Sequence, residues 1–232
     1  RKCFYYFGEN KYFMNILIQQ LEEFLPEKMI IPEPLKMLYQ WIEENGLYLD
    51  NEQGARIGFL YPEDELKKTW TDKERSGGTT IEFAAQPKDS LKYWFGKESD
   101  EIYSRLRVFA RSGAEGSECA LWMDEEGETR IVHMGSGSGS VLCCVLAEDA
   151  VDFLRLLAIG YDEICWNEEY AYPPNTDTDF IVHPNVDFQN WVKQTFHVEI
   201  PRIGLDIVKH PAEIGDEDSP DPFCNWCNKQ TE

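Results

Sequence analysis

Leu106-Arg107-Val108-Phe109-Ala110-Arg111, Cys119-Ala120-Leu121-Trp122-Met123, Arg130-Ile131-Val132-His133-Met134 and Val141-Leu142-Cys143-Cys144-Val145-Leu146-Ala147 follow one another with only short turns between them. In the first, Leu106, Val108 and Ala110 alternate with Arg105, Arg107 and Arg111, the two-residue period of a strand with one face in water. Ser112 to Gly116 interrupts the pattern with two glycines, and Glu125-Glu126-Gly127-Glu128 makes a second, charged turn. The last segment has no polar interruption, which predicts a strand covered on both faces, and the short spacings predict antiparallel neighbours. Asp149 to Ile159 then reads as a helix, with Ala150, Val151, Phe153, Leu154, Leu157 and Ala158 on one face and Gly160 as its stop. The expectation is an α+β fold: a mostly antiparallel central sheet with helices packed against it.

Outward from this block, the N-terminal third is helical. Asn15 to Leu25 carries Ile16, Leu17, Leu21, Phe24 and Leu25 at spacings of three and four, and Pro26 ends it. Glu33 to Asn45 is a second helix, with Pro34 in its first turn and Gly46 at its left-handed stop. Leu47–Leu49, Arg56–Leu60 and Thr80–Phe83 read as short strands, Pro62–Trp70 as a short helix, and Thr71–Gly78 as a charged loop. One or two short helices fall between Asp89 and Leu106. Beyond the central block, Tyr161 to Val182 is irregular, Asn185 caps a last helix, and Glu213–Pro222, with five acids and two prolines, reads as a mobile tail.

The charge balance is unusual: 43 acidic against 22 basic residues, a net of -21. Counting along the sequence, residues 148–232 hold 18 acids and 5 bases, so -13 of that total lies in the last third. Such a field repels nucleic acid and anionic membranes and attracts basic partners, although acidity alone also serves solubility. Seven cysteines are an odd number, and Cys119, Cys143, Cys144 and Cys165 lie in apolar runs, which fits buried thiols in a reducing compartment. No apolar run approaches the roughly 20 residues that cross a bilayer. Phe4-Tyr5-Tyr6-Phe7 lacks the order of a signal peptide, so a cytoplasmic location is expected, with Met14 as an alternative natural start.

Candidate chemistry is sparse. Cys224-Asn225-Trp226-Cys227 has C-x-x-C spacing, but no second pair completes a zinc site, and an acidic tail disfavours a redox thiolate. His133, His183, His197 and His210 are scattered, and His133 alternates with Ile131 as a packed strand residue does. Gly135 to Ser140 lacks the lysine of a phosphate-binding loop and reads as a hairpin turn. Glu168 and Glu169, near Trp166, Tyr170 and Tyr172, raise the thought of a glycosidase. Adjacent residues on an extended chain point to opposite sides, so the two do not pair there. No catalytic residue, cofactor or metal is expected. The acids and aromatics Asp162, Glu163, Trp166, Glu168, Glu169, Tyr170 and Tyr172 are instead expected to form a partner-binding surface, with the rings as anchors and the acids as complement to a basic partner.

Three local patterns resemble the SUKH superfamily of bacterial toxin-immunity proteins and related fungal cell-wall-assembly regulators. They are the proline-led helix from Pro34-Leu35 to Asn45-Gly46, the strand and Gly-rich turn Val108–Glu118, and Ile131–Ser136 followed by the helix Asp149–Gly160. The resemblance spans about residues 30–160. It implies an α+β fold without enzyme activity, and binding of a cognate toxin domain, often a nuclease, inside the producing cell. On this reading residues 1–29 form an extension with a helix, 30–210 a single SUKH-like domain, and 211–232 a mobile acidic tail. A non-toxin regulatory module of the same fold is the alternative, and a carbohydrate-active hydrolase the second.

Overall fold

A computed structural model of the chain describes residues 15–68, 72–176 and 179–231. Met14 and the aromatic run at residues 4–7 lie outside them, as does the end of the helix expected to reach Trp70. In chain order the elements are α1 (Ile16–Phe24), α2 (Glu33–Glu44), β1 (Tyr48–Asp50), β2 (Arg56–Gly58) and α3 (Glu63–Lys68), then β3 (Glu74–Ser76), β4 (Glu82–Phe83), α4 (Leu91–Phe95) and α5 (Asp100–Arg105). They continue with β5 (Leu106–Arg111), β6 (Glu118–Met123), β7 (Thr129–Met134), β8 (Cys143–Ala147), α6 (Ala150–Ile159), β9 (Ile181–His183), α7 (Val186–Phe196) and α8 (Pro222–Thr231).

Seven strands form one antiparallel sheet in the order β1-β2-β4-β5-β6-β7-β8. The fold is therefore α+β, with the antiparallel sheet and packed helices that the strand pattern predicts. Strands β5 to β8 are neighbours in both sequence and space, joined by the three expected turns. β3 and β9 pair separately and in parallel, Glu74 opposite Ile181 and Ser76 opposite His183.

Both faces of the central sheet are covered, which corrects the expectation that the first strand keeps one face in water. On one face Phe83, Phe109, Cys119, Leu121, Ile131, Cys144 and Leu146 pack in a single core with residues of α1, α2, α6 and α7. On the other, Leu106, Val108, Ala120, Trp122, Val132, Met134 and Cys143 meet Leu91, Phe95, Ile102, Phe223 and Trp226 of α4, α5 and α8. A bulge between Val108 and Ala110 places Phe109 and Ala110 together on the first face, so simple alternation fails there. Arg107, expected in water, is buried and donates to the Tyr103 carbonyl at 3.0 Å.

Both ends of the described chain join these cores. Leu17, Ile18 and Leu21 of α1 are buried, so this helix belongs to the fold rather than to an extension. The stretch read as a mobile tail is packed as well. Cys143 N–H donates to the Ala212 carbonyl and Ile214 N–H to the Val141 carbonyl, each at 2.8 Å, so residues 212–214 line the free edge of β8. Asp221 then accepts from the Cys224 N–H with one oxygen (2.8 Å) and from the Val145 N–H with the other (2.9 Å), tying the start of α8 to that edge. Next come Phe223 and Trp226, the indole of Trp122 lying 5.3 Å and 5.8 Å from their rings. The sequence average over Glu213–Pro222 is acidic, but four apolar residues spaced through the next turn and a half decide the outcome.

Candidate functional site

The helix α6 ends at Gly160, whose left-handed φ of 96° turns the chain sharply into the irregular stretch. That stretch has little regular structure, and polar tethers fix it instead. The Tyr161 hydroxyl donates to the Tyr172 carbonyl at 2.7 Å and accepts from the Gly204 N–H at 2.8 Å. The Tyr170 hydroxyl donates to the Ile164 carbonyl, and its ring packs against Tyr161 with centroids 5.8 Å apart. Gly204 sits against that ring so closely that a Cβ there would come within 2.8 Å of it. Asn175, at a φ of 65°, donates to the Val182 carbonyl and accepts from the Val182 N–H, both at 2.9 Å, and so closes the loop onto β9.

A buried cation anchors the base of this region. The Arg75 side chain is wholly buried and donates to the Gly78 carbonyl at 2.7 Å, the Thr80 hydroxyl at 2.6 Å and the Asp162 carboxylate. Asp162 also accepts from the Thr80 N–H at 2.7 Å through its own backbone carbonyl. A buried guanidinium requires such a partner, because desolvating an unpaired charge is costly. The parallel pair β3–β9 and the loop that begins with Asp162 are thereby locked together.

The result is a cleft of about 290 Å³ lined by Tyr161, Asp162, Glu168, Glu169, Tyr172 and Phe180 together with the loop through Pro173 and Asn175. Of the seven residues predicted to form a partner surface, Asp162, Glu168, Glu169 and Tyr172 converge on it. Glu168 and Glu169 are exposed, and Tyr172 is 55% exposed. They reach one cleft because residues Asn167–Ala171 form a 3-10 turn, not the extended chain assumed for them. Desolvation by the neighbouring cleft walls, and then the carboxylates of Asp162, Glu168 and Glu163, push the carboxyl of the partly exposed Glu169 above its usual range.

The other three do different work. Tyr170 is fully buried in the first core and is unavailable to a partner, which corrects its assignment. Glu163 accepts from the Ala114 N–H at 2.7 Å and from the Trp166 indole N–H at 2.9 Å, so both residues brace the Gly-rich turn after β5 against the cleft segment. Among the residues the sequence did not flag, Arg75 matters most to the site's geometry. Its sequence context, a charged loop, gave no sign that a distant aspartate would bury it.

Elsewhere, His133 and Ser112 form a pair that superficially resembles a nucleophile and its base. His133 Nε2 lies 2.8 Å from Ser112 Oγ, and Nδ1 lies 2.8 Å from the Leu142 carbonyl oxygen. The carbonyl can only accept, so Nδ1 carries the proton and Nε2 accepts from the serine. Both residues are fully buried, and burial lowers the histidine pKa to about 4. This is a neutral structural link between strands, without access for a substrate. Among the described residues no group of three His, Cys, Asp or Glu side chains is placed to hold a metal ion, and no helix is long and apolar enough to cross a membrane.

No family model matches the chain, and no curated protein or solved structure matches it either.

Proposed function

We propose that this protein is an intracellular immunity protein that binds and neutralises a basic toxin domain, without catalysis, through the cleft between Tyr161 and Val182. The observation that carries the reading is the convergence of Asp162, Glu168 and Glu169 beside the exposed ring of Tyr172. Glu168 and Glu169 crowd like charge at the rim, and a partner's guanidinium or ammonium relieves that repulsion while the tyrosine supplies an apolar contact. The overall charge of -21 supports fast, salt-sensitive encounter with a cationic partner and disfavours direct contact with nucleic acid. The resemblance of residues 30–160 to the SUKH superfamily supports the choice of a toxin domain, such as a nuclease, as that partner. The six described cysteines are free thiols, in keeping with a cytoplasmic setting.

Asp162 and Glu163 hold the scaffold, so the informative variant is Glu168→Gln, Glu169→Gln and Tyr172→Ala combined, which leaves every tether above in place. Against the toxin domain encoded beside this gene, the variant is expected to bind about 10-fold to 100-fold more weakly, with a shallower salt dependence and loss of cell protection. Unchanged affinity and protection would show that the cleft is not the interface. A gene with no toxin neighbour would favour a regulatory module of the same fold.

A further inference from the structure

A second cavity lies on the opposite side of the sheet, where α8 crosses the end of β8. It measures about 290 Å³ and is bounded by Trp94, Ser136, Gly137, Ile214, Cys143 and Cys227. The Trp94 indole donates to the Gly135 carbonyl at 2.7 Å and so fixes one wall against the Gly-Ser loop. Two of the lining side chains are thiols from different elements: Cys143 from β8 and Cys227 from α8. The Cys143 thiol interacts with those of both Cys227 and Cys224. Cys224 does not line the cavity; its thiol is turned to the carbonyls of Glu213 (3.3 Å) and Asp216 (3.6 Å). Cys144, next in the chain, points to the other face of the sheet.

We propose that this cavity is an oxidation site: it admits a small hydroperoxide to Cys227 and Cys143, which then form a disulfide that staples α8 to β8. The Cys227 sulfur attacks one peroxide oxygen, the O–O bond breaks, and water leaves with the thiol proton, giving a sulfenic acid. The Cys143 sulfur then attacks the sulfenic sulfur, the S–OH bond breaks, and a second water departs with the Cys143 proton. Two thiols lose two electrons in all, and hydrogen peroxide is reduced to two waters. Cys143 and Cys227 line the same cavity and their thiols interact, so the second step brings together two groups that are already neighbours. Cys143 and Cys227 are themselves nearly buried, at 1% and 3% exposure, so the cavity is the route to them, and Cys119, Cys144 and Cys165 do not line it.

The test treats the full-length native protein with hydrogen peroxide, blocks residual thiols with iodoacetamide and maps unreduced peptides by mass spectrometry. The expected result is a Cys143–Cys227 linked peptide, removed by dithiothreitol, with Cys119, Cys144 and Cys165 still reduced. The linkage is also expected to raise the melting temperature by several degrees, because it closes a long loop of the unfolded chain. Cys224→Ser should retain the linkage and Cys227→Ser should abolish it. A linkage through Cys224, oxidation that stops short of any disulfide, or equal reaction of all the buried cysteines would each overturn the assignment, and all three can be read in the wild-type protein.

Discussion

Between Leu106 and Ala147 the chain is fixed mainly by carbon and sulfur packed on both faces of a sheet, whereas between Tyr161 and His183 it is fixed by single polar tethers. In the first region Phe109, Leu121 and Ile131 face one helical layer while Val108, Trp122 and Val132 face another. In the second, Asp162 holds Arg75, Asn175 holds Val182, and Tyr161 holds both Tyr172 and Gly204. Apolar packing is spread over many contacts and tolerates small errors. Polar tethers are few and directional, and they can hold a cleft open without burying the acids that line it. The division suits a scaffold that carries a charged, partly exposed site.

The sheet side should give the strongest response to substitution. Trp122→Ala removes an indole that packs against Phe223 and Trp226, and the site cannot collapse around the gap without moving α8. A global loss of about 3–5 kcal/mol is expected by chemical denaturation, with α8 amides losing hydrogen-exchange protection first. A loss under about 1 kcal/mol would mean that the second face is not a true core.

A somewhat smaller effect should come from pH. His133 is neutral when folded, with its pKa lowered to about 4 against about 6.5 unfolded. Below pH 6.5 the unfolded chain binds a proton that the folded chain refuses. The stabilising contribution is thus complete above pH 6.5 and is lost as pH falls from 6.5 to 4, by about 3 kcal/mol in total. Glu118 and Asp221, both raised by burial, work in the opposite direction over a range that runs upward from their unfolded values into this window, so the histidine must be isolated. Wild type minus His133→Gln should show the slope in that window, and parallel pH profiles would refute it.

The cleft side should give a smaller and more local response. Asp162→Ala leaves the Arg75 guanidinium with Gly78 and Thr80 but no counter-charge. Because the Asp162 side chain is 43% exposed, water can partly replace it, and a loss of about 2 kcal/mol is expected rather than the full cost of a buried orphan. Exchange should quicken where Gly78 donates to the His183 carbonyl, while β5 to β8 stay protected. Equal loosening of the whole sheet would erase the contrast between the two regions.

The same contrast explains what was legible in the sequence. The meander, α1, α2 and α6 announce themselves through apolar periodicity, with bounds within a residue or two of those expected, and α7 starts after the Asn185 cap expected for it. The parallel pair β3–β9 does not, since Glu-Arg-Ser in a charged loop has no strand signature, and only the buried Arg75 explains its position. α8 was hidden differently: the acids before it suggested disorder, while one of them, Asp221, is the residue that docks it. At the cleft, residue type pointed to Asp162, Glu168, Glu169 and Tyr172. Composition could not separate these from Glu163, Trp166 and Tyr170, because a tether and a binding group use the same side chains.

The meander also bears on how this chain finds its fold. Each of β5, β6 and β7 pairs with the next strand through a short turn, so these ladders close small loops and lose little chain entropy before they gain contacts. β4 and the hairpin β1–β2 add at one margin, and residues 212–214 with α8 must return across a far longer span to complete the other. Fast formation of the central ladders, followed by slower docking of both flanks, is the kinetic order this topology favours.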